Sequence, residues 1–266
     1  MTDRRNVHAS LSLEVDDPTA FMLAVSTAQG VPLESEHLEV RLGDDPIGAR
    51  ELGDLHGTRL QLFETVPGIL RIDYRATVVG RAAPAAVNPL DAITYLRPSR
   101  YVQSDTLQPF ARDTFAQLRG ADLVRAVGTW VHERLRYESA STSPTGGAVE
   151  TLASGAGVCR DFAHVTAALL RGLDVPARLV SVYAPELQPP DFHAVVEALV
   201  DDRWVVVDST RLAPRRGLVR MATGRDATDT AFLTNTLSDI RLLSLSVEAA
   251  SDDELFDDPD ELVELS

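Results

Sequence analysis

The sequence of 266 residues contains a single cysteine, so it cannot form an internal disulfide bond. It contains no lysine, all 25 of its basic residues being arginine, and aromatic residues make up only 6% of it. No apolar run approaches the ~20 residues that cross a bilayer, and the N-terminal sequence MTDRRNVHASLSLEVDD lacks the apolar core of a secretory signal. These absences exclude a disulfide-stapled mini-protein and predict a cytoplasmic protein in a reducing compartment. With 44% hydrophobic residues, the chain can form one or two domains that each have a hydrophobic core.

The charge is strongly acidic and unevenly distributed. The formal net charge is -15, and residues 248–266 contain nine acidic residues and no basic one. A polyanion repels nucleic acid and anionic lipid, so we predict neither a nucleic-acid nor a membrane partner. We expect the acidic tail to be solvated; because Leu255, Phe256, Leu262, Val263 and Leu265 interrupt it, docking on the body or on a partner is the alternative.

The chain divides into a β-rich domain over residues 1–95, a core over 96–247 and the acidic tail over 248–266. Strict alternation of apolar and polar residues predicts strands at 8–15 and 69–79, with shorter candidates at 37–42 and 59–64. A short helical pattern containing Phe21, Met22 and Val25 follows Asp17–Pro18. The proline-containing stretch 80–100 is typical of a linker.

The second part of the chain has longer helical and strand patterns. Apolar residues at helical spacing predict an amphipathic helix over about 121–136 and a second helix over about 159–171. Nearly continuous apolar runs at 177–183, 193–200 and 203–209 predict strands covered on both faces. The overall prediction is therefore an α+β protein.

Cys159 is placed at the start of the second helix, after the small residues of GAGVC. A helix N-terminus carries partial positive charge and unpaired N–H groups, which favour a thiolate and could stabilise an oxyanion. The alternative interpretation is a small buried hydrophobic residue, the commonest role of a free cysteine.

His193 and Asp208 are candidates for the base and for the group that orients it. If Asp201–Asp202 forms the hairpin turn, Val200 pairs with Arg203, and Asp208 lies diagonal to His193 on the same face of the sheet. A shift of one residue would move Asp208 to the other face. Taken singly, a surface histidine and a turn-capping aspartate are the simpler interpretations.

Two other ionisable residues lie near Cys159 in the sequence. His164 lies five residues along the helix, about 140° around its axis at 3.6 residues per turn, so we expect it to point away from Cys159. Asp161 is expected to complement the helix dipole, although its charge would oppose a thiolate.

The segments GVCRDFAHVTAALLRGLDVPARLVSVY and DFHAVVEALVDDRWVVVDST resemble the bacterial transglutaminase-like superfamily, as does YLRPSRYVQSD at 95–105. The resemblance covers roughly residues 95–235. It implies a papain-like α+β core in which a helix bearing the cysteine packs on an antiparallel sheet bearing the histidine and the aspartate. It also implies a triad of Cys159 as nucleophile, His193 as base and Asp208 as orienting group.

Two positions depart from the pattern of that family. Val195 stands where many members have tryptophan in His-Ala-Trp, and Ser209 replaces proline in Asp-Pro-Thr. Neither change removes a catalytic group, but the first affects the groove beside the histidine and the second the end of the strand after Asp208. The stretch TGRDATDTAF at 223–232 is expected to border that groove.

The resemblance implies a cysteine-dependent peptidase or amidase that acts on protein or peptide amide bonds through a thioester, with no cofactor and no metal. Transfer of the acyl group to an amine, as in a transglutaminase, and a catalytically silent peptide-binding module are the alternatives. A metal site is disfavoured because zinc ligands usually occur as closely spaced pairs. Tyr101, Gln103 and Tyr137 are candidates for the second oxyanion donor, and the oligomeric state stays open.

Overall fold

A computed structural model of the chain describes residues 3–139, 141, 143–236 and 238–265. Its N-terminal part consists of strands β1 (Arg4–Val15), β2 (Thr19–Leu23), β3 (Leu33–Leu42), β4 (Asp45–Pro46), β5 (Arg50–Gly53), β6 (Arg59–Thr65) and β7 (Gly68–Val79).

The remaining elements mix helices and strands. They are α1 (Asp91–Thr94), α2 (Ser104–Phe115), α3 (Gly120–Arg134), β8 (Arg136–Tyr137), α4 (Ala148–Ser154), β9 (Ala156–Gly157), α5 (Cys159–Gly172), β10 (Ala177–Tyr183), β11 (His193–Val200), β12 (Arg203–Val207), β13 (Val219–Gly224), α6 (Ala227–Thr230), β14 (Leu233–Thr236) and β15 (Ile240–Ser251). The α+β class is confirmed.

Two antiparallel sheets share one apolar core and are called the sandwich. Their strand orders are β15-β1-β7-β3-β4 and β14-β2-β6-β5. The alternating residues of β1 and β7 are buried and half-buried in turn, which confirms the strands predicted at 8–15 and 69–79.

The helix predicted after Asp17–Pro18 is wrong, because residues 19–23 form strand β2. Phe21 and Leu23 are buried while Met22 between them is partly exposed, which is the period of a strand. Phe21 pairs with Phe63 of β6, and their rings stack with centroids 5.3 Å apart. The pairing on both edges of β2 overrides a helical pattern of only three residues.

The chain returns to the sandwich near its C-terminus. Strand β15 pairs with β1 from Arg5↔Ser251 to Val15↔Ile240, and β14 pairs with β2. Strands β14 and β15 therefore lie beside strands that are more than 200 residues earlier in the sequence. The predicted boundary between residues 95 and 96 stays a prediction.

The core consists of a four-stranded antiparallel sheet, β12-β11-β10-β13, with helix α5 packed on it. Every residue of α5 from Asp161 to Gly172 is buried, because α2, α3 and α4 cover the sides of the helix that the sheet leaves open. Tyr183, Val219 and Met221 of this core sheet belong to the apolar cluster of the sandwich, so the two units pack directly on each other. Among the described residues, no helix is both long enough and apolar enough to cross a membrane.

The expectation of a solvated acidic tail is wrong, since the tail docks on the core. The Val206 N–H donates to the Val263 carbonyl over 2.7 Å, and the Val263 and Leu265 side chains are buried. Arg215 anchors the segment: its guanidinium donates to the Asp257 carboxylate at 3.0 Å and to the Glu261 carbonyl at 3.0 Å. The sequence pattern did not reveal this buried arginine, which pairs with one of the acidic residues of the tail and with its backbone.

A comparison of two adjacent arginines tests the docking of the tail. The Arg215 side chain is 7% exposed and that of Arg216, which also pairs with the tail, is 40% exposed. Arg215→Ala should lower the free energy of unfolding by about 2–4 kcal/mol, because it leaves buried acceptors without their donor. Arg216→Ala should change it by less than ~0.5 kcal/mol, as expected for a surface pair. Urea denaturation measures both, and equal small effects would mean that the tail is free.

Candidate active site

Cys159 is the first residue of α5, where the sequence predicted it. Its side chain is half-buried, and its Sγ lies 4.0 Å from the Phe192 carbonyl oxygen. A Cβ on Gly157 would come within 2.6 Å of the Asp161 Cβ, so the turn before Cys159 requires a residue without a side chain. Because Gly157 has no side chain, the backbone before α5 can pass close to Asp161 in the first turn of the helix. Cys159 then lies at the N-terminal end of α5, which is the positive end of the helix dipole.

The charge of Asp161 is balanced by two contacts within this turn. Its Oδ2 accepts from the Val158 N–H over 3.0 Å, and its Oδ1 accepts from the Arg160 guanidinium over 3.0 Å. Asp161 therefore closes the N-terminus of the helix, and Arg160 offsets the negative charge that would oppose a thiolate on Cys159.

His193 and Asp208 are brought together by the predicted hairpin register. Val200 pairs with Arg203 and Val196 with Val207, which confirms the turn at Asp201–Asp202. The two aspartates have φ values of 49° and 58°, the left-handed conformation of a two-residue hairpin turn. Beyond the paired residues, His193 Nε2 donates to Asp208 Oδ2 over 2.8 Å, and both side chains are almost fully buried.

Thr210 holds the carboxylate of Asp208 in position from the other side. Its N–H and its hydroxyl both donate to Asp208 Oδ1, over 2.9 and 2.7 Å. Ser209, which stands where the related pattern has proline, shares a 2.7 Å hydrogen bond with the Thr166 hydroxyl of α5. The departure from the pattern thus adds a direct link between the strand end that carries Asp208 and the helix that begins at Cys159.

The pair of His193 and Asp208 is electrostatically coupled. Burial lowers the pKa of His193, but the charge and hydrogen bond of Asp208, together with Cys159, outweigh burial and raise this pKa to about 10. Burial raises the pKa of Asp208, and His193 with Thr210 more than reverses this, so the pKa stays below its usual value. His193 is therefore an imidazolium at neutral pH and Asp208 a carboxylate.

The second ring nitrogen of His193 does not take part in the hydrogen bond with Asp208. Its Nδ1 is buried and has no hydrogen-bond partner within the part of the chain that the structure describes. Cys159 also contributes to the raised pKa of His193, so the sulfur lies near enough to the ring to interact with it electrostatically. One nitrogen thus contacts the carboxylate, and the other is left for a proton exchanged with the sulfur or with a bound substrate.

His164 lies away from this constellation, as its helical position predicted. Its ring stacks on Tyr101 with centroids 5.2 Å apart, and its Nε2 accepts from the Ala227 N–H over 3.2 Å. Burial lowers the pKa of His164 to about 4, so the ring is neutral at physiological pH. It packs between α5 and α6 and does not compete with His193.

The three candidates for the second oxyanion donor are separated by their contacts. The Tyr101 hydroxyl donates to the Pro144 carbonyl, and the Gln103 side chain bonds to Glu150 and to the Val149 N–H. Burial and the charge of Cys159 raise the pKa of Tyr137 to about 12, so Tyr137 lies near Cys159. Of the three, Tyr137 is the candidate that interacts electrostatically with the sulfur.

A groove of about 460 Å³ opens beside Cys159 and His193. Residues Ala227 and Thr230 line it, so the stretch 223–232 borders the groove as predicted.

Sequence reasoning missed the role of Thr210 and the contribution of β14 and β15 to this groove. The side-chain hydrogen bond of Thr210 is a local motif that Asp-Ser-Thr could have suggested, whereas the strand contribution depends on long-range pairing without a local pattern.

Comparisons with known proteins agree with this arrangement. The sequence model of the transglutaminase-like superfamily matches residues 109–209. The structure of a putative cysteine protease from Cytophaga hutchinsonii superimposes with a TM-score of 0.88 and 33% identity, covering 98% of this chain and 96% of that one. An uncharacterized protein of Mycobacterium leprae is 28% identical over 116 residues, 41% of this chain, and the match spans only 42% of that protein.

The likeness to the Cytophaga hutchinsonii protein extends over nearly the whole of both chains. Together with the match to the family model, it establishes the family of this chain. The chain belongs to the transglutaminase-like superfamily. The resemblance and the papain-like α+β core predicted from the sequence are confirmed, whereas the catalytic roles of Cys159, His193 and Asp208 stay predictions that the geometry supports.

The coupling of His193 and Asp208 predicts a specific pH dependence of stability. A group whose pKa is raised on folding stabilises the fold fully below its unfolded pKa, near 6.5, and this contribution is lost as the pH rises through 10. Asp208→Asn should therefore lower the free energy of unfolding by about 3–5 kcal/mol near pH 6, and by progressively less toward pH 10. Denaturation of both proteins across this range measures the difference. A difference that does not vary with pH would contradict the coupling.

Proposed function

We propose that the chain is a cysteine-dependent hydrolase that cleaves amide bonds in proteins or peptides through a thioester on Cys159. The observation that carries the proposal is the position of His193: its Nε2 is bound to Asp208 over 2.8 Å, its Nδ1 has no partner among the described residues, and it lines the same groove as Cys159. A nucleophile, a base and an orienting carboxylate in this order are the parts that acyl transfer from an amide requires.

The first half of the reaction forms the thioester. The Cys159 thiolate attacks the amide carbonyl carbon, so a C–S bond forms and the carbonyl oxygen becomes an oxyanion. In this proposal the Cys159 N–H at the start of α5 and the Tyr137 hydroxyl stabilise that oxyanion. The C–N bond then breaks as the His193 imidazolium gives its proton to the departing amine.

The second half regenerates the enzyme. Neutral His193 accepts a proton from a water molecule, whose oxygen attacks the thioester carbonyl carbon. The C–O bond forms, the C–S bond breaks, and the products are a carboxylic acid and the ion pair of Cys159 and His193. Asp208 retains its charge throughout and stabilises the imidazolium each time it forms.

Hydrolysis is favoured over transfer to an amine by one comparison. The relative that matches nearly the whole chain at 33% identity is described as a putative cysteine protease. If a primary amine attacked the thioester in place of water, the same residues would perform transamidation. Which nucleophile is used is therefore a property that must be measured in the products.

Product analysis in ¹⁸O-labelled water tests the proposal. The protein is incubated with a library of N-blocked peptide amides, in the presence and absence of a simple primary amine, and the products are analysed by mass spectrometry. We expect carboxylic acids that carry one ¹⁸O atom, and Cys159→Ala should reduce their rate of formation by at least ~10³-fold.

The control for this experiment is the fold of the variant. Cys159→Ala should show the circular dichroism and melting temperature of the wild type within ~2 °C, because the side chain is small and half-buried. Products that carry the added amine and no ¹⁸O would instead establish an acyltransferase. Peptide binding of equal strength in both proteins without turnover would establish a silent binding module.

A further inference from the structure

The groove beside Cys159 is lined by residues from distant parts of the sequence. Its apolar lining combines Leu179 and Met221 of the core sheet with residues of the chain that returns to the sandwich, namely Phe232, Leu233, Leu242 and Leu245. Both Cys159 and His193 are also part of the lining, so the groove adjoins the candidate reacting groups.

The polar groups in the groove are few. Arg160 at the rim is bound to Asp161 and to the Ser143 carbonyl. Asp191 is exposed, and its Oδ1 accepts from the Phe192 N–H over 2.7 Å. The buried Ser181 Oγ has no hydrogen-bond partner among residues 3–139, 141, 143–236 and 238–265. It is available to one polar group of a ligand, whereas the rest of the surface offers apolar contacts.

We propose that this groove selects substrates with a large apolar side chain, of the size of leucine or phenylalanine, on the acyl side of the scissile amide. The inference rests on the proposed function and names its substrate class. Burial of one such side chain favours binding by about tenfold to hundredfold over a substrate that lacks it. A charged side chain would instead lose its hydration against the apolar part of the lining.

The acyl side is assigned because of the two-step chemistry. The amine leaves after the first step, whereas the acyl portion must stay in place, attached to Cys159, until water has attacked it. A binding site that adjoins Cys159 itself therefore contributes to both steps when it holds the acyl portion.

Two adjacent leucines on β15 provide a matched pair of variants. Leu242 and Leu243 are 48% and 44% exposed, but only Leu242 lines the groove. Leu242 pairs with Leu13 and Ser244 with Ser12, so Leu243 is the extra residue of a β-bulge and has no cross-strand partner. Glutamate at either position has similar exposure, and only one of the two positions affects the groove.

The experiment measures alkylation of Cys159 by peptidyl chloromethyl ketones that carry leucine, phenylalanine, glycine or aspartate next to the ketone. In each case a C–S bond forms as chloride leaves, and intact mass reports the adduct on the only cysteine of the chain. Iodoacetamide, which has no side chain, gives the reference rate for the sulfur. We expect the leucine and phenylalanine reagents to react at least tenfold faster than the glycine and aspartate reagents.

With each rate divided by the iodoacetamide rate of the same variant, Leu242→Glu should remove most of this preference and Leu243→Glu should retain it. Equal rates for all four reagents, or equal effects of the two variants, would overturn the apolar subsite and leave the proposed hydrolase intact. Selective labelling without any amide hydrolysis would support the subsite and overturn the proposed hydrolase.

Discussion

The buried ion pair of His193 and Asp208 is the interaction on which the site depends. It joins two strands just beyond their last paired residues, at 2.8 Å and almost without solvent contact. Burial alone would make His193 neutral, and the carboxylate reverses that effect, so the charge of each residue requires the other. Thr210 and Ser209 then fix the carboxylate to its own strand end and to α5. The charge state of the His193 imidazole therefore depends on how helix α5 packs on the core sheet.

The sandwich has a role in this arrangement besides its own stability. Its last strands, β14 and β15, form one wall of the groove that opens at Cys159. Met221 belongs both to the apolar cluster of the sandwich and to the lining of the groove, so the two units share packing at the site. We infer that the last strands of the sandwich shape what the core can bind, while the core supplies the reacting groups.

The parts of this structure that local patterns determine were predictable from the sequence. The start of α5 at Cys159 follows from its small preceding residues, and the diagonal position of Asp208 follows from a two-residue turn at Asp201–Asp202. Contacts between distant segments left no local pattern. The sequence therefore did not reveal that β15 pairs with β1. It also gave no means of recognising, among 25 arginines, that Arg215 is buried and binds the tail. The strand β2 was misread because a short pattern is decided by its neighbours in the sheet.

The most direct test of the account is an NMR titration of the imidazole of His193, with ¹⁵N-labelled histidine and assignment by His193→Gln. The account predicts that His193 stays protonated through neutral pH and titrates near 10. In Asp208→Asn, where only Cys159 still opposes the effect of burial, its pKa should fall well below that of the wild type. A wild-type His193 that titrates near 6.5, and does so equally in Asp208→Asn, would contradict the claim that the buried pair sets the charge of the site.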